Sequence, residues 1–512
     1  MGNTLLFNQF DIIASFTENT INNELLGLVN DGTIEKELIV YRTVDSSGNY
    51  NYSVVQSASD IPDGAEYING EVTPSIKIEQ SGSAVTLLLN FDSGVGYFVD
   101  KAGFGPIAKL KKYDMTGWKY GININLELTR FNDKLKASSN INQQLNDLQA
   151  SNLSINSLFL NFVSSDLETS NPAFTDCPKE MVEFMSFYFK HLDATQNPYI
   201  LGYNISSDTS TNFSDKLPAQ LKPTGTDFTV YADTSNEGLS NLNYTMVTQG
   251  GHQRIVSSPS VLTSNWFANA STAGKMIISH QCLLEDLILI PFYNNLSQTI
   301  YSQVSRHVSV GHGNSYNAAK SISGNTWSFN IANYGSGDNQ YVNSFTVTIQ
   351  NNNGFTNLAF NGSLRVYKEV SKSALFCTAR AHASASVSWS GNVKIAIDGN
   401  GLSLTNGFKI THQSSGSSKN SCAKAFSWIG KILGGILDVF TGWTDGGFFS
   451  NLLSEAFSVN IPGIGTISLA LGNFSNAISS FVLTPTGKKY KVTPSSNSPS
   501  FDNEGNLYLD LN

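Results

Sequence analysis

The sequence predicts an α+β protein in which strands outweigh helices, and two observations lead to this prediction. Charged residues make up only 14% of the 512 residues, against about 25% in an ordinary globular domain. Asn, Ser, Thr, Tyr and Phe take their place, and these residue types favour strands and turns. In addition, three amphipathic segments with helical spacing are separated by stretches in which apolar and polar residues alternate. This pattern excludes a helical bundle and a coiled coil.

The first amphipathic segment covers residues 11–29. Its apolar residues recur close to the helical period, and Asn30, Asp31 and Gly32 provide a stop signal. The segment is therefore predicted as one helix, which either belongs to the core or lines a groove for an apolar ligand. Its apolar stripe consists of Ile12, Phe16, Ile21, Leu25 and Leu28.

Strand signals are clearest in residues 34–130, where residues 76–79 and 120–128 alternate in polarity and the mostly apolar run 85–89 ends at Asn90. Residues 120–128 place apolar side chains on one face and Asn or Glu on the other, which is typical of a half-buried antiparallel strand. Similar signals occur at 345–349, 381–389, 393–397 and 507–511. Loops rich in Ser, Thr, Asn or Gly are predicted at 204–275 and 414–421.

Two further helices are predicted at residues 179–192 and 280–305. In the second of these, Leu283 and Leu287 share the inward face, and Pro291 should kink or divide the helix. Because Leu283 and Leu287 resemble the stripe of the first helix in position, we take them as further candidates for contact with an apolar ligand.

A third helix is predicted at residues 424–440. Lys431 and Asp438 interrupt it, and it is too short to cross a bilayer. It is therefore either a buried core helix or a segment that inserts at a membrane surface. Its candidate membrane contacts are Phe426, Ile429, Leu433, Ile436 and Phe440.

An internal echo predicts that the chain contains two related halves. Residues 11–15 precede the first predicted helix, and residues 275–279, of similar apolar pattern, precede the helix at 280–305. The predicted order is therefore helix then strands, repeated once.

Several classes of function are excluded by what the sequence lacks. The net charge of −9 argues against a nucleic-acid partner. Nucleophile-elbow, zinc-protease and phosphate-loop motifs are missing, so we expect no enzymatic activity, no metal and no cofactor. No two of the four cysteines form a CxxC pair. We expect them to be free thiols, and the alternative is one disulfide between cysteines distant in sequence. The four cysteines are Cys177, Cys282, Cys377 and Cys422.

The first residues lack both a basic region and a long apolar region, so no secretory signal peptide is expected. The sequence contains no run of 18 uncharged apolar residues, so we expect no standard transmembrane helix.

Several short strings occur in a recognisable order and spacing. They are residues 158–162, 198–203, 221–224, 242–248 followed by Trp266, 274–279, 283–285 and 289–291. Together they resemble the clostridial forty-seven-kilodalton protein family, whose members are encoded beside orfX-type botulinum neurotoxin genes and in insecticidal gene clusters. The similarity is best over residues 155–300 and fainter over 1–30 and 425–512. One difference is Phe10 before Asp11, where the family tends to carry Trp.

The resemblance implies a fold of the tubular lipid-binding (TULIP) superfamily, in which long helices are wrapped by strongly curved antiparallel sheets. It implies an elongated molecule with two related units, 1–265 and 266–512. It also implies a non-catalytic accessory protein of a bacterial toxin system, released to the extracellular space. Such a protein would bind lipid, another apolar ligand or a membrane surface, and other proteins of the toxin cluster.

Two other functions compete with this interpretation. One is a protein–protein scaffold of a toxin complex, whose groove is filled by its own side chains. The other is a carbohydrate-binding protein, in which Trp327, Tyr334 and Trp389 would form exposed aromatic platforms.

Overall fold

Residues 11–29, predicted as one helix, form a strand and then a helix in the computed structural model. The strand β1 is Ile12–Thr17 and the helix α1 is Glu18–Asn30. Thr17 ends the strand and caps the helix, because its hydroxyl oxygen accepts a hydrogen bond from the backbone N–H of Thr20 at 3.3 Å. All six residues of β1 are buried. The prediction of a helix at 11–17 is therefore wrong, since a short apolar run does not distinguish a buried strand from a buried helix.

The chain divides into two units. Two segments from the C-terminal part of the sequence belong to unit 1, and the related units 1–265 and 266–512 remain a prediction. Unit 1 is 1–277, 475–493 and 509–512, and unit 2 is 278–474 and 494–508. The structure describes residues 10–99, 109–131, 137, 139–150, 153–162, 173–175, 180–195, 199–207, 221–248, 265–267, 272–289, 302, 319–323, 326–330, 339–352, 355–374, 376–398, 401–424, 451, 468–470, 481–488, 490, 492–494 and 506–512.

Unit 1 contains a ten-stranded sheet in the order β21-β10-β8-β7-β5-β4-β2-β3, with β6 paired to β5 and β9 to β7. Every pair is antiparallel. The predicted strand segments 85–89 and 120–128 lie within this sheet. Its strands are β2 Glu37–Val44, β3 Tyr50–Val54, β4 Glu66–Lys77, β5 Ala84–Val99, β6 Leu110–Asp114, β7 Lys119–Arg130, β8 Leu153–Leu160, β9 Ala173–Thr175, β10 Ile200–Ser207 and β21 Val482–Leu483.

This sheet curls around α1. Asn22 of α1 holds β4, because its side-chain amide donates to Ile76 O at 3.0 Å and its carbonyl accepts from Ile76 N at 2.7 Å. The same helix contacts β10, which is four strands from β4 in the sheet order. In a flat sheet these two strands would be about 19 Å apart, whereas a helix is only about 10–12 Å across. The sheet therefore has to bend strongly to contact the helix on both sides.

A six-stranded sheet, in the order β11-β12-β1-β13-β23-β22, places β1 in its interior. β1 pairs antiparallel with β12, with Phe16 opposite Leu242 and Ala14 opposite Tyr244. The predicted loop at 204–275 is wrong at these strands, where Ser, Thr and Asn alternate with buried apolar residues. The other strands are β11 Pro223–Tyr231, β12 Asn241–Thr248, β13 Gly274–Ile278, β22 Val492–Pro494 and β23 Leu507–Leu511.

Unit 2 contains a seven-stranded sheet in which each strand pairs antiparallel with the next one along the chain. The predicted surface loop at 414–421 is wrong over most of its length, because residues up to Lys419 continue β19 as an exposed strand. The strands are β14 Ala319–Ser323, β15 Thr326–Asn330, β16 Asn339–Asn352, β17 Phe355–Ala374, β18 Cys377–Asp398, β19 Gly401–Lys419 and β20 Ser468–Ala470.

The protein is therefore mostly β, with few and short helices among the described residues. The helix predicted at 179–192 is confirmed as Met181–Ala194, which has 14 residues. Of the helix predicted at 280–305, the structure describes a π-helix at Gln281–Leu289. Of the helix predicted at 424–440, the structure describes only Lys424, the last residue of a short helical turn. Residues 425–440 lie outside the described residues. Helices are α2 Ser139–Ala150, α3 Met181–Ala194 and α4 Ser421–Lys424, with 3-10 turns at Ala58–Asp60 and Glu237–Leu239.

One disulfide joins Cys377 to Cys422, which resolves the alternative that the sequence leaves open. Cys282 is a buried cysteine outside this disulfide, and Cys177 lies outside the described residues.

Candidate apolar ligand site

Phe16 and Ile21 meet at the junction of β1 and α1. Phe16 is the last apolar residue of the strand, and Ile21 is the first apolar residue of the helix. Because Thr17 caps α1 directly after β1, the two side chains face the same space. They are 6% and 4% exposed, so the protein covers them almost completely.

A small crevice opens beside these two residues, entirely within unit 1. Its empty volume is about 260 Å³ with open solvent included, and the enclosed part has room for about one water molecule. Four separate parts of the chain form its wall. Most of the lining is apolar, and Glu24 with two threonines supplies the polar groups. The lining residues are Phe16, Thr20, Ile21, Glu24, Leu201, Tyr244, Val482, Leu483, Thr484 and Pro485.

Tyr244 joins the two sheets of unit 1 across the crevice. Its ring meets the ring of Phe16 edge to face, with the centroids 6.2 Å apart. Its hydroxyl donates to Leu201 O of β10 at 3.0 Å. Gly202 permits this approach, since a Cβ there would lie 2.2 Å from the Tyr244 hydroxyl oxygen. Burial raises the pKa of the Tyr244 hydroxyl well above its ordinary value, so it is a neutral donor.

A C-terminal segment, residues 481–488, forms one wall of the crevice through residues 482–485. Val482 and Leu483 pair with β10 at Asn204 and Tyr203. The segment lies close to α1, because a Cβ on Gly27 would be 2.7 Å from the Thr486 methyl carbon. This wall therefore depends on the absence of a side chain at position 27.

Glu24 of α1 binds Thr486 and Tyr490 through its buried side chain. It is only 5% exposed, and its carboxylate accepts hydrogen bonds from the Tyr490 hydroxyl at 2.9 Å and from the Thr486 hydroxyl. Tyr490 also packs against Phe16, with the ring centroids 5.5 Å apart. Burial, together with the nearby Glu24 carboxylate, raises the pKa of Tyr490. The polar end of the crevice is therefore a carboxylate with two hydroxyl donors.

The predicted ligand-contact residues are only partly brought together. Phe16 and Ile21 line the crevice, whereas Ile12 and Leu25 are fully buried and do not line it. Leu283 is fully buried in unit 2, and the side chain of Leu287 lies outside the described residues. The candidate membrane contacts Phe426, Ile429, Leu433, Ile436 and Phe440 also lie outside them.

The sequence interpretation missed Leu201, Tyr244, Val482 and Leu483. Residues 241–248 alternate between apolar and polar types, and this signal would have predicted a strand with Tyr244 on its apolar face. Val482 and Leu483 carry no comparable signal, because only the long-range pairing with β10 brings them to the crevice.

The aromatic platform of the carbohydrate interpretation is not formed by the two tryptophans. Trp327 and Trp389 are 0% and 1% exposed, so neither presents a face to a sugar. The indole N–H of Trp327 donates to the buried carboxylate of Glu285. Tyr334 lies outside the described residues.

Within the described residues, no group of three or more His, Cys, Asp and Glu side chains has the arrangement of a metal site. In the same part of the chain, no helix is long and apolar enough to cross a bilayer.

No protein-family model matches the chain, and no curated protein matches it. Among solved structures, P47 of Clostridium botulinum E1 is similar at 13% identity and a TM-score of 0.49, covering 98% of this chain and 99% of that one. A lipopolysaccharide binding protein is similar at 10% identity and a TM-score of 0.23, covering 98% of both chains. The chain thus resembles P47 of Clostridium botulinum E1 over nearly its full length.

Proposed function

We propose that this protein binds an apolar ligand, such as the acyl chain of a lipid, in the crevice beside β1 and α1. The observation that carries the proposal is a crevice with an apolar lining, formed by Phe16, Ile21, Leu201 and Leu483 at the centre of a curled sheet. Apolar concave sites with a few polar groups are the usual form of small-molecule sites. No catalytic step is part of this function.

The polar end of the crevice suits an amphipathic ligand. Glu24 already accepts two hydroxyl donors, so a carboxylate or phosphate headgroup would be repelled there. A neutral or donor-bearing headgroup, or an acyl tail alone, is compatible with this end. Because the closed volume is small, binding requires residues 481–488 to move outward.

The competing function is a scaffold whose groove is permanently filled. Complete burial of Ile12 and Leu25 against protein favours it, because those parts of the predicted stripe leave no space for a ligand. The two functions differ in whether the crevice at Phe16 opens.

Binding of a neutral fluorescent acyl probe to the full-length protein separates them. The methyl ester of cis-parinaric acid is added to the delipidated protein, and lipid carried through purification is measured by native mass spectrometry. Val482→Phe adds volume to the lining, so we expect probe binding to weaken by about tenfold or more, equivalent to the burial of an apolar group. Val29→Phe is the matched control, since Val29 lies on α1, is also 8% exposed and does not line the crevice.

Equal probe binding in the two variants would argue against the crevice as the site. If the parent protein carries no lipid and binds no probe, the filled scaffold is the better description.

We further propose the fold type and setting that the sequence strings imply. The fold is of the tubular lipid-binding type with two related units. The protein is an accessory component of a bacterial toxin system, and the narrower form of this proposal is an insecticidal system. Release to an oxidising extracellular space is supported by the disulfide Cys377–Cys422, since such bonds persist there. Co-purification with proteins encoded beside its gene tests the setting, and failure to retain any of them would count against it.

A further inference from the structure

Phe376 stands at the tip of a long β-hairpin in unit 2. β17 and β18 pair in register down to Ala374 opposite Cys377, so Phe376 stands at the turn between the two strands. The Phe376 side chain is 96% exposed. Among the described residues the next most exposed large apolar side chain is Val44 at 60%, and Phe376 lies far in sequence from the crevice-lining residues.

A disulfide and several hydrogen bonds hold the backbone around this tip. Cys377, next to Phe376, forms the disulfide with Cys422 of α4. Asn420 accepts from the N–H of Arg380 at 3.0 Å and donates to Thr378 O at 2.8 Å. The same side-chain oxygen caps α4 by accepting from Ala423 N at 2.8 Å. The hairpin therefore presents Phe376 on a fixed support.

The residues beneath the tip are basic, although the protein as a whole carries a net charge of −9. Arg380, Lys419 and Lys424 are exposed, and the Arg380 side chain is 66% exposed. Residues 371–381 and 411–424 contain no Asp or Glu. The nearest acidic partner is Glu369, 3.9 Å from the Arg380 guanidinium. This end of the hairpin is thus a local positive patch around an exposed aromatic ring.

We infer that Phe376, Arg380, Lys419 and Lys424 form a docking tip for an anionic lipid bilayer. Aromatic rings prefer the headgroup region of a bilayer, and Lys and Arg beside them reach anionic headgroups. A single inserted ring binds weakly, and the cations supply the second attraction that stable docking requires. The inference is independent of the crevice, because a protein with a filled crevice would still carry this tip.

Co-sedimentation with vesicles tests the docking tip on the full-length, oxidised protein. Two compositions are compared, phosphatidylcholine alone and phosphatidylcholine with phosphatidylglycerol. We expect binding only to the anionic vesicles, with a strength that falls as salt is added. Phe376→Ser should weaken this binding about tenfold. The triple variant R380Q/K419Q/K424Q should weaken it similarly and remove most of the salt dependence.

Val44→Ser is the matched control, because Val44 is an exposed apolar residue of unit 1 at 60% exposure, and its binding should equal that of the parent. Thermal melting should be unchanged in all variants, since each altered side chain is exposed. Phe376→Trp tests whether this side chain inserts into the bilayer. Vesicles with brominated lipids should quench the tryptophan fluorescence of this variant more than that of the parent.

Three outcomes would overturn the docking tip. They are failure of the parent to bind anionic vesicles, equal binding by Phe376→Ser and the parent, and a dimer of the parent that Phe376→Ser abolishes in place of vesicle binding. The acyl-probe experiment on the crevice gives a separate answer, so either proposal can fail alone.

Discussion

Thr17 and Ser279 make the same hydrogen bond at equivalent places in two strand–helix segments. The side-chain oxygen of Thr17 accepts from Thr20 N at 3.3 Å, and that of Ser279 accepts from Cys282 N at 3.1 Å. Each residue follows or ends a buried strand and begins a helix. The sequence comparison of residues 11–15 with 275–279 matches position 11 to 275. Aligning the two caps matches position 17 to 279, which moves the alignment by two residues.

The shifted alignment matches the two sets of predicted ligand-contact residues to each other. Ile21 then corresponds to Leu283, and Leu25 corresponds to Leu287. Ile21, Leu25 and Leu283 are all buried. The same local design, a strand followed by a capped helix with an apolar stripe, thus occurs in both halves of the sequence.

Gly202→Ala should destabilise unit 1 by about 1–3 kcal/mol. The new Cβ would lie 2.2 Å from the Tyr244 hydroxyl, so the bond from Tyr244 to Leu201 O breaks and leaves a buried donor without its acceptor. Urea unfolding measures the change. Gly225→Ala is the control, because a Cβ at Gly225 meets nothing within 4 Å; an equal loss in both variants would contradict the prediction.

Phe16→Ala should lower the free energy of unfolding of the ligand-free protein by about 3–5 kcal/mol. Phe16 is 6% exposed and packs against the rings of Tyr244 and Tyr490, so its removal leaves a cavity. Leu26→Ala on the exposed side of α1, where Leu26 is 41% exposed, should change stability by about 0.5 kcal/mol or less. If the crevice binds lipid, Phe16→Ala should also alter lipid retention per folded molecule; unchanged retention with a large stability loss would favour a pure core role.

Glu66 and Glu183 should respond very differently to removal of their charge, although both bind Arg42. The guanidinium of Arg42 and the Glu66 carboxylate are 2% and 6% exposed and lie 2.6 Å apart, whereas Glu183 is 56% exposed. Glu66→Gln removes the buried carboxylate and leaves the solvent-exposed Glu183 as the acidic partner of Arg42, so it should cost about 3 kcal/mol. Glu183→Gln should cost about 0–1 kcal/mol. Thermal unfolding of the two variants decides this, and comparable losses would show that Arg42 is not held mainly by Glu66.

Asp233 and Asp227 should alter the pH dependence of stability with opposite signs. Hydrogen bonds from the Ser235 and Asn265 side chains lower the pKa of Asp233 from 3.8 to about 2. The folded state therefore prefers the ionised form, and this stability is lost as the pH falls from 3.8 towards 2. Burial raises the pKa of Asp227, so its contribution is present below the unfolded pKa and is lost as the pH rises through the folded pKa.

Urea unfolding of Asp233→Asn and Asp227→Asn across this range of pH measures the two contributions. In Asp233→Asn the free energy of unfolding should fall less on acidification than in the parent. In Asp227→Asn it should fall less as the pH is raised. Changes of the same sign in the two variants would refute the assignment.

The sequence by itself determined several of the strands. Segments 120–128 and 381–389 alternate with a period of two, and each lies within an observed strand. The α3 helix at Met181–Ala194 was likewise predictable. A local periodic pattern is sufficient here, because one face of each element is buried and the other is not.

Only the tertiary structure decided the rest. β1 is buried on both faces, so its sequence has no polar face to distinguish a strand from a helix. The crevice joins residues near positions 16, 201, 244 and 483, and the disulfide selects Cys422 for Cys377. These are long-range contacts created by strand pairing across the chain, and no local pattern of residue types encodes which distant segments will meet.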